Sequence, residues 1–203
     1  MNHVIAFAGH PGAGKSSVVR GLAQALGDAC AIHMDNYETM TRTAIEDIAL
    51  WLRNGADIDT FTFPQLAVDL GRLKRNETVV EQITSREIRP GKYVLFETQF
   101  GKAHKATGQH VDLQVWIDTP LDIALARNVN KLAAHALRQP PDKLAERWKW
   151  LQVYLDNYTG TVRGLMAMQQ ERVASIADIV LDGRPPVAEI VQRARTEILR
   201  KLP

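Results

Sequence analysis

A single cysteine in 203 residues, Cys30, rules out a disulfide framework and a thiolate metal cluster; the position reads as a buried strand residue. No stretch is apolar for long enough to cross a bilayer. The first apolar run starts at His3, which leaves no room for a secretory leader, so a cytoplasmic protein without a membrane role is expected. Charge of one sign is also scarce. Lys and Arg number 25 against 23 Asp and Glu, and the net charge of +2 is spread along the chain, which argues against a nucleic-acid footprint. Repeats and low-complexity segments are missing as well. What is present is ordinary for a globular protein, 45% hydrophobic and 24% charged residues, enough for one well-buried core. One domain over 1–203 is expected, with an appended lid at about 127–158.

Against this plain background one stretch carries chemistry. Gly9 to Ser17, GHPGAGKSS, fits G-x-x-x-x-G-K-[ST], the phosphate-binding P-loop. The motif requires a buried strand before it and a helix after it. His3 to Ala8 is a nearly continuous apolar run, suited to a central parallel strand. Val18, Val19, Leu22, Ala23 and Leu26 form one stripe of a helix, and Gly27 supplies its stop. Backbone N–H groups around Gly9, Pro11, Gly12, Ala13 and Gly14 would turn onto phosphates at a helix N-terminus. Lys15 would reach the terminal phosphates, the Ser16 hydroxyl would ligate Mg²⁺, and Ser17 would complete the cradle. ATP and Mg²⁺ are the expected cofactors.

Four more apolar runs read as strands: Ala29–Met34, Tyr93–Phe96, Val111–Ile117 and Ala177–Leu181. Helical patterns fall at Thr43–Arg53, Pro64–Arg75, Pro120–Leu137, Asp142–Gln170 and Pro186–Lys201, and Val79–Ile88 reads as a small hairpin. Alternation of strands and helices implies an α/β fold with a five-stranded parallel sheet flanked by helices, as in P-loop NTPases. Ligands bind at the carboxyl ends of such strands. Asp35, Glu97 and Asp118 each follow an apolar run. Thr119-Pro120-Leu121-Asp122 has the pattern of a helix N-terminus, so Asp118 reads as a cap or turn former. Asp35 and Glu97 lack that signal and suit proton acceptance and magnesium anchoring beside a P-loop.

A guanine-reading N-K-x-D motif is absent, since Asn130-Lys131 continues as Leu-Ala, and so is an L-S-G-G-Q-like transporter signature. The chain resembles the uridine kinase/phosphoribulokinase-like family, which includes a type of pantothenate kinase. Ile32 to Tyr37 is similar to its S-x-D-x-[FY] motif, Phe61 to Glu77 to its D-x-L-x-x-L-K-x-G-like helix, and Phe96-Glu97 to its E-G motif with Thr98 in place of Gly. Asp122 to Arg127 resembles D-x-x-L-x-R, and Tyr158 to Arg163 followed by Ala177 to Val180 resembles the tail. The resemblance covers most of the chain in order.

It implies Asp35 as general base, Glu97 as a magnesium anchor, Arg127 as the lid arginine on the phosphates, and the loop from Asp182 through Gly183 to Pro186 against adenine. Arg138 and Arg147 are weaker lid candidates. His33 and Tyr37 bracket Asp35 and suit an acceptor pocket, where Arg86 or Lys102 would pair with an anionic group. The P-x-Y-D-x-x-x-H-x-R-like hairpin of the pyrimidine nucleoside kinases has no counterpart between Val79 and Arg89. The acceptor is therefore expected to be a small hydroxyl-bearing metabolite, a sugar or organic acid. A uridine, cytidine or pantothenate kinase, and a nucleotide-binding regulator with little turnover, remain the alternatives. Oligomeric state is not legible.

Overall fold

The computed structural model describes residues 1–37, 44–138 and 140–202. The central sheet contains β1 (His3–Ala8), β2 (Ala29–His33), β5 (Tyr93–Glu97), β6 (Leu113–Asp118) and β7 (Ile179–Asp182). All pairings are parallel, in the order β2-β5-β1-β6-β7. β3 (Val79–Val80) and β4 (Glu87–Ile88) form the expected antiparallel hairpin. The helices are α1 (Lys15–Leu26), α2 (Ile45–Arg53), α3 (Pro64–Lys74), α4 (Lys105–Gly108), α5 (Leu121–Leu137), α6 (Leu144–Asn157), α7 (Arg163–Arg172) and α8 (Val187–Lys201). The start of the expected helix at Thr43 lies outside the described residues.

The period-two alternation of β1 divides the core. Val4 and Ala6 face Leu66, Leu70 and Leu73 of α3 with Met168 of α7, whereas Ile5 and Phe7 face Val18, Val19 and Leu22 of α1 with Ile190 and Ile198 of α8. β1 is covered on both faces, which is why its sequence is apolar without a break. β1 is the central strand, with β2 and β5 on one side and β6 and β7 on the other, so its carboxyl end lies where the direction of winding reverses.

Among the boundaries that differ from the sequence reading, three do so for identifiable reasons. β6 starts at Leu113 instead of Val111, because the Asp112 carboxylate accepts the Val4 N–H at 2.9 Å in place of a ladder carbonyl. β7 likewise starts after Asp178, whose carboxylate accepts the Gln114 N–H at 2.7 Å. The long helix expected over Asp142–Gln170 consists of a short 3₁₀ turn, α6, a π-helical turn at Tyr158–Val162 and α7. No helix among the described residues is long and apolar enough to cross a membrane.

Candidate active site

The loop between β1 and α1 wraps from Gly9 to Gly14, with Pro11 and Gly12 in its turn. Gly12 adopts φ 84°, and a Cβ there would lie 2.0 Å from the Ala124 carbonyl oxygen of α5. Only glycine permits that approach. The Lys15 ammonium bridges back across the loop, donating to the carbonyls of Gly9 (2.8 Å) and His10 (3.2 Å). Burial pulls its pKa down, and the charges of Glu97 and Asp35 pull it back up. Those two carboxylates therefore share one electrostatic site with Lys15.

Strand register explains how Glu97 arrives there. It pairs across β5 with Phe7 on one side and His33 on the other, level with the end of β1. Its carboxylate accepts from the Ser16 hydroxyl at 2.7 Å and contacts His33 Nδ1 at 2.6 Å. Burial would raise the Glu97 pKa; the hydrogen bonds from His33 and Ser16, with the Lys15 charge, outweigh it and hold the group below the usual carboxylate range. His33 thus supports Glu97 in addition to bordering Asp35. Asp35 itself does not follow the strand directly. It sits in the middle of a 3₁₀ turn, Met34–Asn36, after β2 ends at His33.

A cleft of 640 Å³ opens over the P-loop. Gly12, Gly14, Lys15, Ser16, Ser17 and Arg20 form one wall, with Glu97 beside them. Arg127, Asn128 and Lys131 come from α5, and Arg184 to Val187 from the segment after β7. Five cationic side chains, Lys15, Arg20, Arg127, Lys131 and Arg184, meet a single carboxylate, a balance suited to a polyphosphate. The oxygens of Ser16 and Glu97 are hard ligands of the kind Mg²⁺ takes, and no group of three His, Cys, Asp or Glu among the described residues forms a metal cage. That donor set fits a magnesium ion brought in with phosphates and held only partly by protein.

Several expected assignments change. Thr119 does not cap α5: the N-cap residue is Pro120, without a side-chain cap, and the Thr119 hydroxyl donates to the Ala13 carbonyl at 3.2 Å. The threonine fastens the P-loop, and Asp118 is no cap either. Arg127 donates to the carbonyls of Gly183 (2.9 Å) and Arg184 (3.5 Å), so its guanidinium ties α5 to the loop after β7. Arg147 donates to the Ala136 carbonyl at 2.9 Å, inside the α5–α6 hairpin, and neither it nor Arg138 lines the cleft.

On the acceptor side, Arg86 is bound to Glu81 at 3.0 Å and to the Ala31 carbonyl at 2.9 Å. Glu81 is fully buried and also accepts from Asn36 and Thr84, so Arg86 neutralises an internal carboxylate. Lys102 pairs with Asp178 at 2.6 Å, at the amino end of β7, whereas the P-loop lies at the carboxyl ends. That pair fastens the start of β7 to the segment after β5. The Tyr37 hydroxyl donates to buried Asp69 at 2.9 Å; burial and that hydrogen bond push its pKa up. Gly183 donates its N–H to the Asp118 carbonyl at 2.7 Å and packs against the Thr119 hydroxyl.

The sequence reading missed His10. Its ring is buried edge-on against Trp116, with Nδ1 3.5 Å from Gln169 Oε1 of α7. It also passed over Lys131, although the spacing of four residues from Arg127 on one helix was visible.

No family pattern matches this sequence, and no curated protein does. Solved structures resemble it in fold. The chain is similar to a shikimate kinase from Acinetobacter baumannii in complex with shikimate (17% identity, TM-score 0.54, covering 100% of this chain and 96% of that one). It is also similar to a possible uridine kinase from Bacillus stearothermophilus (14%, TM-score 0.52, 89% of each chain). A gluconokinase from Sinorhizobium meliloti matches at 18% identity and TM-score 0.50, over 98% of this chain and 93% of that one. At these identities the likeness is one of fold, an α/β architecture with a five-stranded parallel sheet shared with small-molecule kinases.

Proposed function

We propose that the chain is an ATP-dependent phosphotransferase that moves the γ-phosphate to a hydroxyl of a small polar metabolite, a sugar or an organic acid. The observation that carries this reading is the cleft in which Lys15 and Ser16 of the P-loop meet Glu97 under a ring of cations. Three similar folds belong to proteins described as kinases, which supports the same class. The ordered resemblance to the uridine kinase/phosphoribulokinase-like family supports it further.

In this reading Lys15 exchanges its two loop carbonyls for phosphate oxygens, while the backbone from Gly9 to Gly14 and the α1 N-terminus hold the anion. Ser16 and Glu97 hold Mg²⁺, which when bound neutralises charge on the phosphates. His33 fixes the orientation of the Glu97 carboxylate. Asp35, exposed in the turn after β2, accepts the proton of the acceptor hydroxyl. The helices from Arg127 to Tyr158 act as the lid.

The hairpin argues against a pyrimidine nucleoside as acceptor, because Thr84 and Arg86 already serve Glu81 and are not available to a base edge. An unmatched buried polar group costs about 1–3 kcal/mol. The test is a screen of ATP consumption against sugars, hydroxy acids, pantothenate, uridine and cytidine. ADP release that depends on a sugar or acid supports the reading. Release dependent on uridine alone shifts the acceptor to a nucleoside. ATP binding without transfer to any acceptor overturns the enzyme reading in favour of a nucleotide-binding regulator.

A further inference from the structure

We infer that Lys131, and not Arg127, is the arm cation that meets the nucleotide phosphates, and that Arg127 is a positioning residue for the loop that holds the base. The inference rests on the proposal that the cleft binds ATP. It starts from the hydrogen bonds of the five cations that line the cleft. Lys15 is held by Gly9 and His10 carbonyls within the P-loop. Arg184 folds onto its neighbour Asp182, with contacts of 2.8, 2.9 and 3.1 Å. Arg127 gives both of its terminal nitrogens to carbonyls of Gly183 and Arg184. Lys131 and Arg20 have no hydrogen bond or ion pair with any described residue, and both are exposed along the cleft.

Geometry separates these last two. Arg20 lies one turn beyond Ser16 on α1, the same helix that already brings Lys15 and Ser16 to the cleft. Lys131 lies on α5, the helix whose first turn touches Gly12 at Ala124. It stands four residues past Arg127, about 6 Å further along the same helix face. Lys131 lines the cleft from α5 while Lys15 lines it from α1, and a flexible ammonium there can act as a point charge on a phosphate. The planar fork of Arg127 is suited instead to the two consecutive carbonyls it already holds. Gly183 in that loop leaves no room for movement toward Thr119, since a Cβ would lie 1.8 Å from the Thr119 hydroxyl oxygen. Arg127 thus closes the open side of a loop whose other side is already packed.

The two roles separate by ligand. Lys131→Met should weaken ATP about tenfold or more, the scale of one charge-assisted contact, and leave adenosine unchanged. Arg127→Met should weaken adenosine and ATP by a common factor, with Arg127→Lys restoring part of it. Calorimetry reads ATP, and saturation-transfer NMR reads weak adenosine binding. The assignment is overturned if Lys131→Met leaves ATP affinity intact, if it weakens adenosine equally, or if Arg127→Met weakens ATP alone. Wild-type protein that binds ATP but not adenosine also overturns the part given to Arg127. If wild-type protein fails to bind ATP at all, the proposed function falls, together with this inference. ATP binding without phosphoryl transfer removes only the kinase reading.

Discussion

Helices α1 and α6 are 12 and 14 residues long, and both are amphipathic, yet the protein treats them oppositely. α1 buries Val18, Val19 and Leu22 between the sheet and α8. α6 buries no side chain and leaves Leu144, Trp148, Trp150, Val153 and Leu155 exposed. The difference is one of partner, not of composition. A stripe of apolar residues stabilises a helix only where another surface takes it out of water. The phosphate loop is therefore carried on the tightly packed helix. The cations expected to close on the nucleotide ride on a hairpin with little buried contact, where local opening costs little.

The strongest way to probe this comparison is at the junction of the packed region with the chemistry. Lys15→Ala should abolish phosphoryl transfer with the fold retained, since the hydrogen bonds of the side chain go only to loop carbonyls. Undiminished turnover in a coupled assay would end the kinase reading. Asp35→Asn is expected to lower turnover roughly 10²-fold or more, the scale of a lost general base, with ATP affinity nearly unchanged. A parallel collapse of affinity would place Asp35 with the metal instead.

Stability should divide the two helices just as sharply. Leu22→Ala removes a fully buried side chain and should cost about 2–5 kcal/mol, whereas Trp148→Ser on the arm should stay within about 0.5 kcal/mol. Urea denaturation measures both, and equal losses would mean that α6 is packed in solution. The smallest effect concerns His10. Burial lowers its pKa from 6.5, so below that pH the unfolded chain takes up the proton first and stability falls with pH. His10→Gln should flatten that part of the wild-type decline between neutral and mildly acidic pH, read from thermal melts. An unchanged slope would assign the decline to carboxylates alone.

Much of the packed half was legible beforehand because its signals are local. The unbroken apolar run of β1, the glycines of the loop and the stripe of α1 each dictate their own structure. The hairpin at Val79–Ile88 and the acid at the end of β5 follow from the same kind of signal. The site chemistry was less legible where it depends on pairing between distant segments. His33 meets Glu97 only because β2 and β5 pair in that register, and no spacing in the sequence encodes it. Lys102 and Arg86 looked available because their partners, Asp178 and Glu81, are assigned only once the sheet and hairpin are assembled. Thr119 was read as a cap from a local pattern, and a tertiary bond to Ala13 took precedence.

The π-helical turn at Tyr158–Val162 sets the phase between α6 and α7. Such a turn accommodates one residue more than an α-helical turn. Each residue advances an α-helix by about 100°. α7 keeps Leu165, Met166 and Met168 against the core, and the extra residue swings the apolar side of α6 away from that line. The exposed tryptophans of the arm are thus a matter of angular offset, set by the one extra residue that the turn takes up.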